Sequence, residues 1–67
     1  MRDILITLIH EIDRARKLHP VPSFAALVEE LGEVAKAIQE EGPAEYRAEL
    51  LQVACVAMRL IEHSKKE

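Results

Sequence analysis

Apolar residues recur at helical spacing in three segments of the chain, which proline, glycine and serine separate. The first segment predicts a helix over residues 2 to 18, with the pattern ending before Pro20. The second predicts a helix from about Phe24 to Glu41, with Ser23 as its N-cap and Gly42-Pro43 as its stop signal. The third predicts a helix over residues 44 to 63. The predicted fold is all-α, a three-helix chain in one domain over residues 1–67.

The apolar positions of the first two predicted helices form one stripe on each helix, as expected for elements that pack on a shared core. On the first helix the stripe consists of Leu5, Leu8, Ile9, Ile12 and Ala15. On the second it consists of Phe24, Leu27, Val28, Leu31, Val34, Ala35 and Ile38.

The third predicted helix is apolar around almost its whole circumference. From Leu50 to Ile61 its sequence is L-L-Q-V-A-C-V-A-M-R-L-I, in which only Gln52 and Arg59 are polar. A helix of this kind is buried on nearly all sides, and two short helices of the same chain offer too little cover. The pattern therefore predicts a helical bundle completed by oligomerisation, as a homodimer or homotetramer.

Size and composition favour the same conclusion and exclude several classes of partner. The hydrophobic core of a chain of only 67 residues supplies little net stability. Cys55 is the only cysteine, so no internal disulfide can add to it, and a single thiol in an apolar run is typical of a reducing, cytoplasmic location. The net charge of −3 and the scarcity of aromatic residues argue against nucleic acid. No apolar run is long enough to predict a membrane span.

Acidic and amide side chains lie at matching spacing on the second and third predicted helices. Glu30 and Glu33 are three residues apart and share one side of a helix, as do Glu49 and Gln52. If the two pairs face each other, they form a four-oxygen site, which suits Mg²⁺, Mn²⁺ or Ca²⁺ better than zinc. The alternative interpretation of the same residues is a solvated acidic face.

Gln52 and Arg59 need partners because they interrupt an apolar run. An unpaired buried amide costs about 1 to 3 kcal/mol, so Gln52 is expected to meet a ligand, a metal or a neighbouring side chain. Arg59 is expected either to pair with an acidic residue across an interface or to meet a phosphate.

The motif E-E-L-G-E at residues 29 to 33, followed after fifteen residues by E-x-x-Q at Glu49 to Gln52, resembles the metal-binding signature of the MazG-like, all-α nucleoside triphosphate pyrophosphohydrolases. The resemblance implies a MazG-like helical bundle that holds Mg²⁺, or Mn²⁺, on Glu30, Glu33, Glu49 and Gln52. It also implies that Glu30, Glu33 and Glu49 are catalytic, and that the substrate is a nucleoside triphosphate cleaved between its α and β phosphates. The products would be a nucleoside monophosphate and pyrophosphate.

Two features differ from the family pattern. Gln52 stands where the family signature has an aspartate, which predicts weaker metal affinity. Family members also continue with a further helix that contacts the nucleotide. Here such contacts are expected from a neighbouring subunit or from the cations Arg14, Arg16, Lys17, Lys36 and Arg59. Two alternatives to an enzyme remain open at this point. They are a non-catalytic helical oligomerisation module and a protein that binds metal or nucleotide without turnover.

Overall fold

Three helices form the whole regular structure of residues 1–65, the part of the chain that the computed structural model describes. They are α1 (Arg2–Leu18), α2 (Phe24–Glu40) and α3 (Pro43–Ser64). The all-α prediction is confirmed, and no strand occurs within these residues. The last two positions of the predicted domain lie outside the described residues.

The helix ends follow the local signals of the sequence. The Ser23 hydroxyl accepts a hydrogen bond from the Ala26 backbone N–H at 3.1 Å, which caps the start of α2. At the start of α3 the Gly42 N–H donates to Glu45 Oε2 at 3.2 Å. Pro43 is the first residue of α3, one position before the predicted start, because proline fits the first turn, where its missing N–H is not needed. The predicted ends of α2 and α3 differ from the observed ends by one residue each.

Helix α3 lies between the other two helices. It packs most extensively against α2 and less against α1, while α1 and α2 make no close approach to each other within the described residues. The molecule measures 38 × 27 × 19 Å, so the three helices form a flat single layer. This arrangement makes α3 the element on which any site shared between helices must be built.

The buried interior is small. Within the described residues, the apolar side chains that are fully buried are those of Leu8, Ala37 and Cys55. Most of the apolar run of α3 is half-buried, because α1 and α2 of the same chain cover two of its sides. The sequence predicted that a partner subunit would bury these sides of α3. The chain itself supplies part of this cover, and many of its own large apolar side chains are left exposed on α1 and α2.

The length and hydropathy of the helices also bear on membranes. No helix within residues 1–65 combines the length and the apolar character that crossing a membrane requires.

Candidate functional site

Glu30 and Glu49 meet where α2 packs against α3. Both side chains are half-buried. Burial raises the pKa of Glu30 above its ordinary value of 4.5, and the charges of Glu49 and Glu29 raise it further. Smaller contributions come from a hydrogen bond that protonated Glu30 donates to Glu49 and from the charge of Glu33. Because the charge and a hydrogen bond of Glu49 are among these causes, the two carboxylates lie within interaction distance across the two helices.

The structure places the four predicted site residues on two facing helix surfaces, but it gathers them unequally. Glu30, Glu49 and Gln52 are half-buried between the helices, whereas Glu33 is exposed. Glu33 acts on Glu30 through its charge. Within residues 1–65 no group of three or more His, Cys, Asp or Glu side chains is arranged so that it could hold a metal ion. The geometry therefore provides a carboxylate pair with Glu33 beside it.

Gln52 has a side-chain partner on α1. Its Nε2 donates to Glu11 Oε2 at 2.9 Å, which confirms that the amide in the apolar run is paired. The same carboxylate accepts from Arg14 Nη2 at 3.1 Å. Hydrogen bonds from Arg14 and then Gln52 lower the pKa of Glu11. Glu11 thus stays ionised and holds the amide nitrogen of Gln52, which leaves the amide oxygen as the acceptor of that side chain.

Sequence reasoning missed Glu11. The signal that could have found it is its position on the α3-facing side of α1, three residues after Leu8 and four before Ala15. An acidic residue within a core stripe requires a polar partner, just as Gln52 does. Glu11 and Gln52 are therefore each other's hydrogen-bond partner.

Arg59 is buried, with 6% of its surface exposed. Its Nη2 donates to the backbone carbonyl of His19, just after the last residue of α1. Its partner is therefore a main-chain oxygen of the same chain, whereas the sequence suggested an acidic residue across an interface or a phosphate. The contact satisfies a carbonyl that the end of a helix leaves without an intrahelical partner.

A cleft of about 410 Å³ opens beside the carboxylate pair, between α1, the connection that follows it, α2 and α3. Glu29, Glu30 and Gln52 are polar residues that line the cleft. Arg14 and Arg59 line it too. Ala15, Leu18, Val21 and Val56 are among the apolar residues that line it. Of the five cations named from the sequence as nucleotide contacts, Arg14 and Arg59 reach this cleft. Arg16 is paired with Glu62 and Asp13 instead.

Comparison of the chain with models of protein families, with curated proteins and with solved structures found no match. The resemblance to MazG-like enzymes therefore rests on the residues of the two motifs, and membership of that family stays a prediction.

The raised pKa of Glu30 leads to a prediction on stability. In metal-free buffer at pH 7, Glu30→Gln is expected to raise the melting temperature, because it removes a carboxylate whose ionised form is disfavoured in the fold. A raised pKa means that the favourable contribution of Glu30 is full below its ordinary value of 4.5 and is lost as the pH rises through the raised pKa. The gain from the substitution should therefore disappear in melts recorded below about pH 4.5.

Glu40→Gln is the matched control, since it makes the same change at an exposed position of α2. It should alter the melting temperature little at either pH. A gain from Glu30→Gln that is as large in acid as at pH 7 would show that charge at the α2 and α3 contact is not its cause.

Proposed function

We propose that the protein is a Mg²⁺-dependent nucleoside triphosphate pyrophosphohydrolase, which cleaves between the α and β phosphates to give a nucleoside monophosphate and pyrophosphate. The observation that carries the proposal is the pairing of Glu30 with Glu49 across α2 and α3, in which Glu30 also lines a cleft that Arg14 lines. The position of the cleaved bond, between the α and β phosphates, is inferred from the resemblance of the motifs. The proposed enzyme acts in the cytoplasm as a homodimer or homotetramer.

The donor set at this contact fits a magnesium ion. Magnesium is commonly bound by one or two protein carboxylates, with water and substrate phosphates completing its six ligands. Glu30 and Glu49 supply two such carboxylates. Burial and then the charge of Glu49 raise the pKa of Glu30, and a bound cation would offset both. Glu33 and the amide oxygen of Gln52 are the further oxygen donors on the same two helices. Manganese has the same preference for oxygen ligands.

The bound cation would polarise the phosphoryl group and offset the charge of the triphosphate. The chain's own residues position the substrate around it. Glu11 holds the amide nitrogen of Gln52, and Arg14 offers a guanidinium among the residues that line the cleft. A glutamate among Glu30, Glu33 and Glu49 that is not engaged with the cation would accept the proton of the attacking water.

The apolar part of the cleft has a separate role in the proposal. Ala15, Leu18, Val21 and Val56 give it walls on which a nucleoside base can be packed away from water. Arg59 already donates to the carbonyl of His19, so in this cleft it acts first as a structural support. Arg14 is also paired, with Glu11, but its side chain is exposed whereas that of Arg59 is buried, so Arg14 is the cation proposed to meet a phosphate.

The experiment that tests the function combines an activity assay with a thermal melt. Nucleoside triphosphates, including deoxy and non-standard ones, are incubated with the protein and Mg²⁺ or Mn²⁺, and pyrophosphate release is measured. We expect release from at least one of them, with EDTA abolishing it. Metal plus that nucleotide should also raise the melting temperature, because a ligand specific to the folded state stabilises it by RT ln(1 + [L]/Kd).

Two negative results together would contradict the proposal. If no triphosphate yields pyrophosphate and the melting temperature does not change, a non-catalytic helical oligomerisation module becomes the better interpretation. The many exposed apolar side chains favour that alternative. A thermal shift without turnover would indicate a protein that binds metal or nucleotide only.

A further inference from the structure

Helix α2 carries apolar residues on two different sides. One side faces α3 and contains the half-buried Leu27 and Val34 and the buried Ala37. The other side is exposed along its whole length, and we call it the α2 seam. It consists of Phe24, Val28, Leu31, Ala35 and Ile38. The exposed fractions of its four large side chains are 70% for Phe24, 52% for Val28, 51% for Leu31 and 63% for Ile38.

The spacing within the α2 seam is that of a contact between helices. Its members follow one another at intervals of four, three, four and three residues. This alternation keeps apolar side chains on one line that faces a partner helix, as at the a and d positions of a coiled coil. The exposed apolar residues of α1, which include Ile4, Leu5, Ile6 and Ile9, show no such alternation.

The positions beside the seam carry no charge. On one flank lie Ala25, Gly32 and Gln39, and on the other lie Leu27 and Val34. Charged residues make up 31% of the whole chain. The charged residues of α2 lie on the rest of its surface, away from the seam and its two flanks. A Cβ atom added at Gly32 would meet nothing within 4 Å, so the backbone there is open to close approach by a neighbour.

The exposed area of the chain is larger than its mass predicts. A folded monomer of 7.6 kDa should expose about 4,300 Å² by the usual scaling of area with mass. The chain exposes 5172 Å². The excess of about 900 Å² is close to the roughly 800 Å² that each partner contributes to a standard-sized protein interface.

We propose that two copies of this chain associate through the α2 seam, seam against seam, around a twofold axis. A second copy is the occupant because an uncharged apolar strip with this spacing packs against an identical strip across a twofold axis. Each copy has a net charge of −3, and a contact through the uncharged seam keeps the charges of the two copies apart. The association also supplies the buried apolar area that the small interior lacks.

The α2 seam and the candidate site lie on different sides of α2. At about 100° per residue, the seam is centred about 100° from the side that faces α3 and opposite Glu33. Dimerisation through the seam therefore leaves Glu30 and Glu33 accessible. The proposal adds a specific interface to the homo-oligomer of the proposed function and does not depend on the chemistry of the site. Dimer mass tests the seam, and pyrophosphate release tests the enzyme.

Sedimentation equilibrium at tens of micromolar tests the seam. The wild-type chain should sediment at about twice 7.6 kDa. The double variant Val28→Glu/Leu31→Glu should sediment at half the wild-type mass, because it places carboxylates in the seam without removing any buried side chain. Matched controls are Ile9→Glu on α1 and Met58→Glu on α3, which are exposed to a similar extent but lie outside the seam. Both should remain dimeric.

A second measurement keeps the proposal testable if the double variant also loses helicity. Val28→Glu/Leu31→Glu and Val28→Lys/Leu31→Lys should each be monomeric alone, and an equimolar mixture should regain the dimer mass and its helical circular dichroism. A monomeric wild type would overturn the proposal. So would a seam variant that stays dimeric, a control that dissociates in its place, or a mixture that does not restore the dimer.

Discussion

Glu33→Gln is expected to reduce metal-dependent pyrophosphate release by about 100-fold or more, with no change in oligomeric state or melting temperature in metal-free buffer. The side chain is exposed, so its replacement removes charge from the site and no packing from the core. A bound cation contributes several kcal/mol to the stabilisation of the transition state, and each 1.36 kcal/mol is a factor of ten in rate, so loss of a carboxylate that holds the cation lowers the rate steeply. The measurement is initial rate at saturating Mg²⁺ with the best triphosphate of the panel.

The matched control for this variant is Glu40→Gln, the same change at an exposed position of the same helix. It should keep the wild-type rate. If Glu33→Gln also keeps it while Glu30→Gln does not, the cation is held by Glu30 and Glu49 alone, and the prediction for Glu33 is wrong. Equal losses from Glu33→Gln and Glu40→Gln would point to a general effect of surface charge.

Arg59→Met is expected to lower the free energy of unfolding by about 1 to 3 kcal/mol, because it leaves the His19 carbonyl without its side-chain donor in a part-buried position. Methionine keeps an apolar chain of similar length, so the loss reports the hydrogen bond more than the packing. In a chain this short each kcal/mol shifts the melting temperature by about 4 to 8 °C, so the melt should move by at least about 4 °C. Urea denaturation at fixed protein concentration measures the energy.

Arg47→Met is the control for Arg59→Met, since Arg47 is an exposed arginine on the same helix. Surface substitutions of this kind usually change stability by less than about 0.5 kcal/mol. Equal effects of the two variants would show that the contact between Arg59 and His19 does not help to hold α1 on α3.

The helices were predictable because their boundaries depend on residues close together in the sequence. Ser23 caps α2 by accepting a hydrogen bond from the backbone N–H three residues later. Gly42 follows the end of α2, and Pro43 is the first residue of α3. The periodicity of α2 and α3 also predicted that Glu30, Glu33 and Glu49 lie close together. The structure pairs Glu30 with Glu49 and leaves Glu33 exposed beside them. These predictions needed only helical geometry.

The partners of Gln52 and Arg59 were not predictable in the same way. Glu11 lies 41 positions from Gln52, and His19 lies 40 positions from Arg59. Which of several polar groups meets a given side chain depends on how far one helix is shifted along another, and periodicity does not contain that offset. Periodicity also did not separate the two apolar sides of α2, because a single stripe in the sequence includes residues that face α3 and residues that face outward.

The sparse attachment of α1 has a consequence for ligand entry. Its contacts within the described residues are with α3, and its polar ties to that helix, from Glu11, Arg16 and His19, come from its C-terminal part. An element with few buried contacts opens at a lower free energy than the rest of the fold. Helix α1 can therefore detach while α2 and α3 stay paired, and each detachment opens the cleft beside Glu30. Backbone amide exchange in α1 would then report how often the pocket is open to solvent.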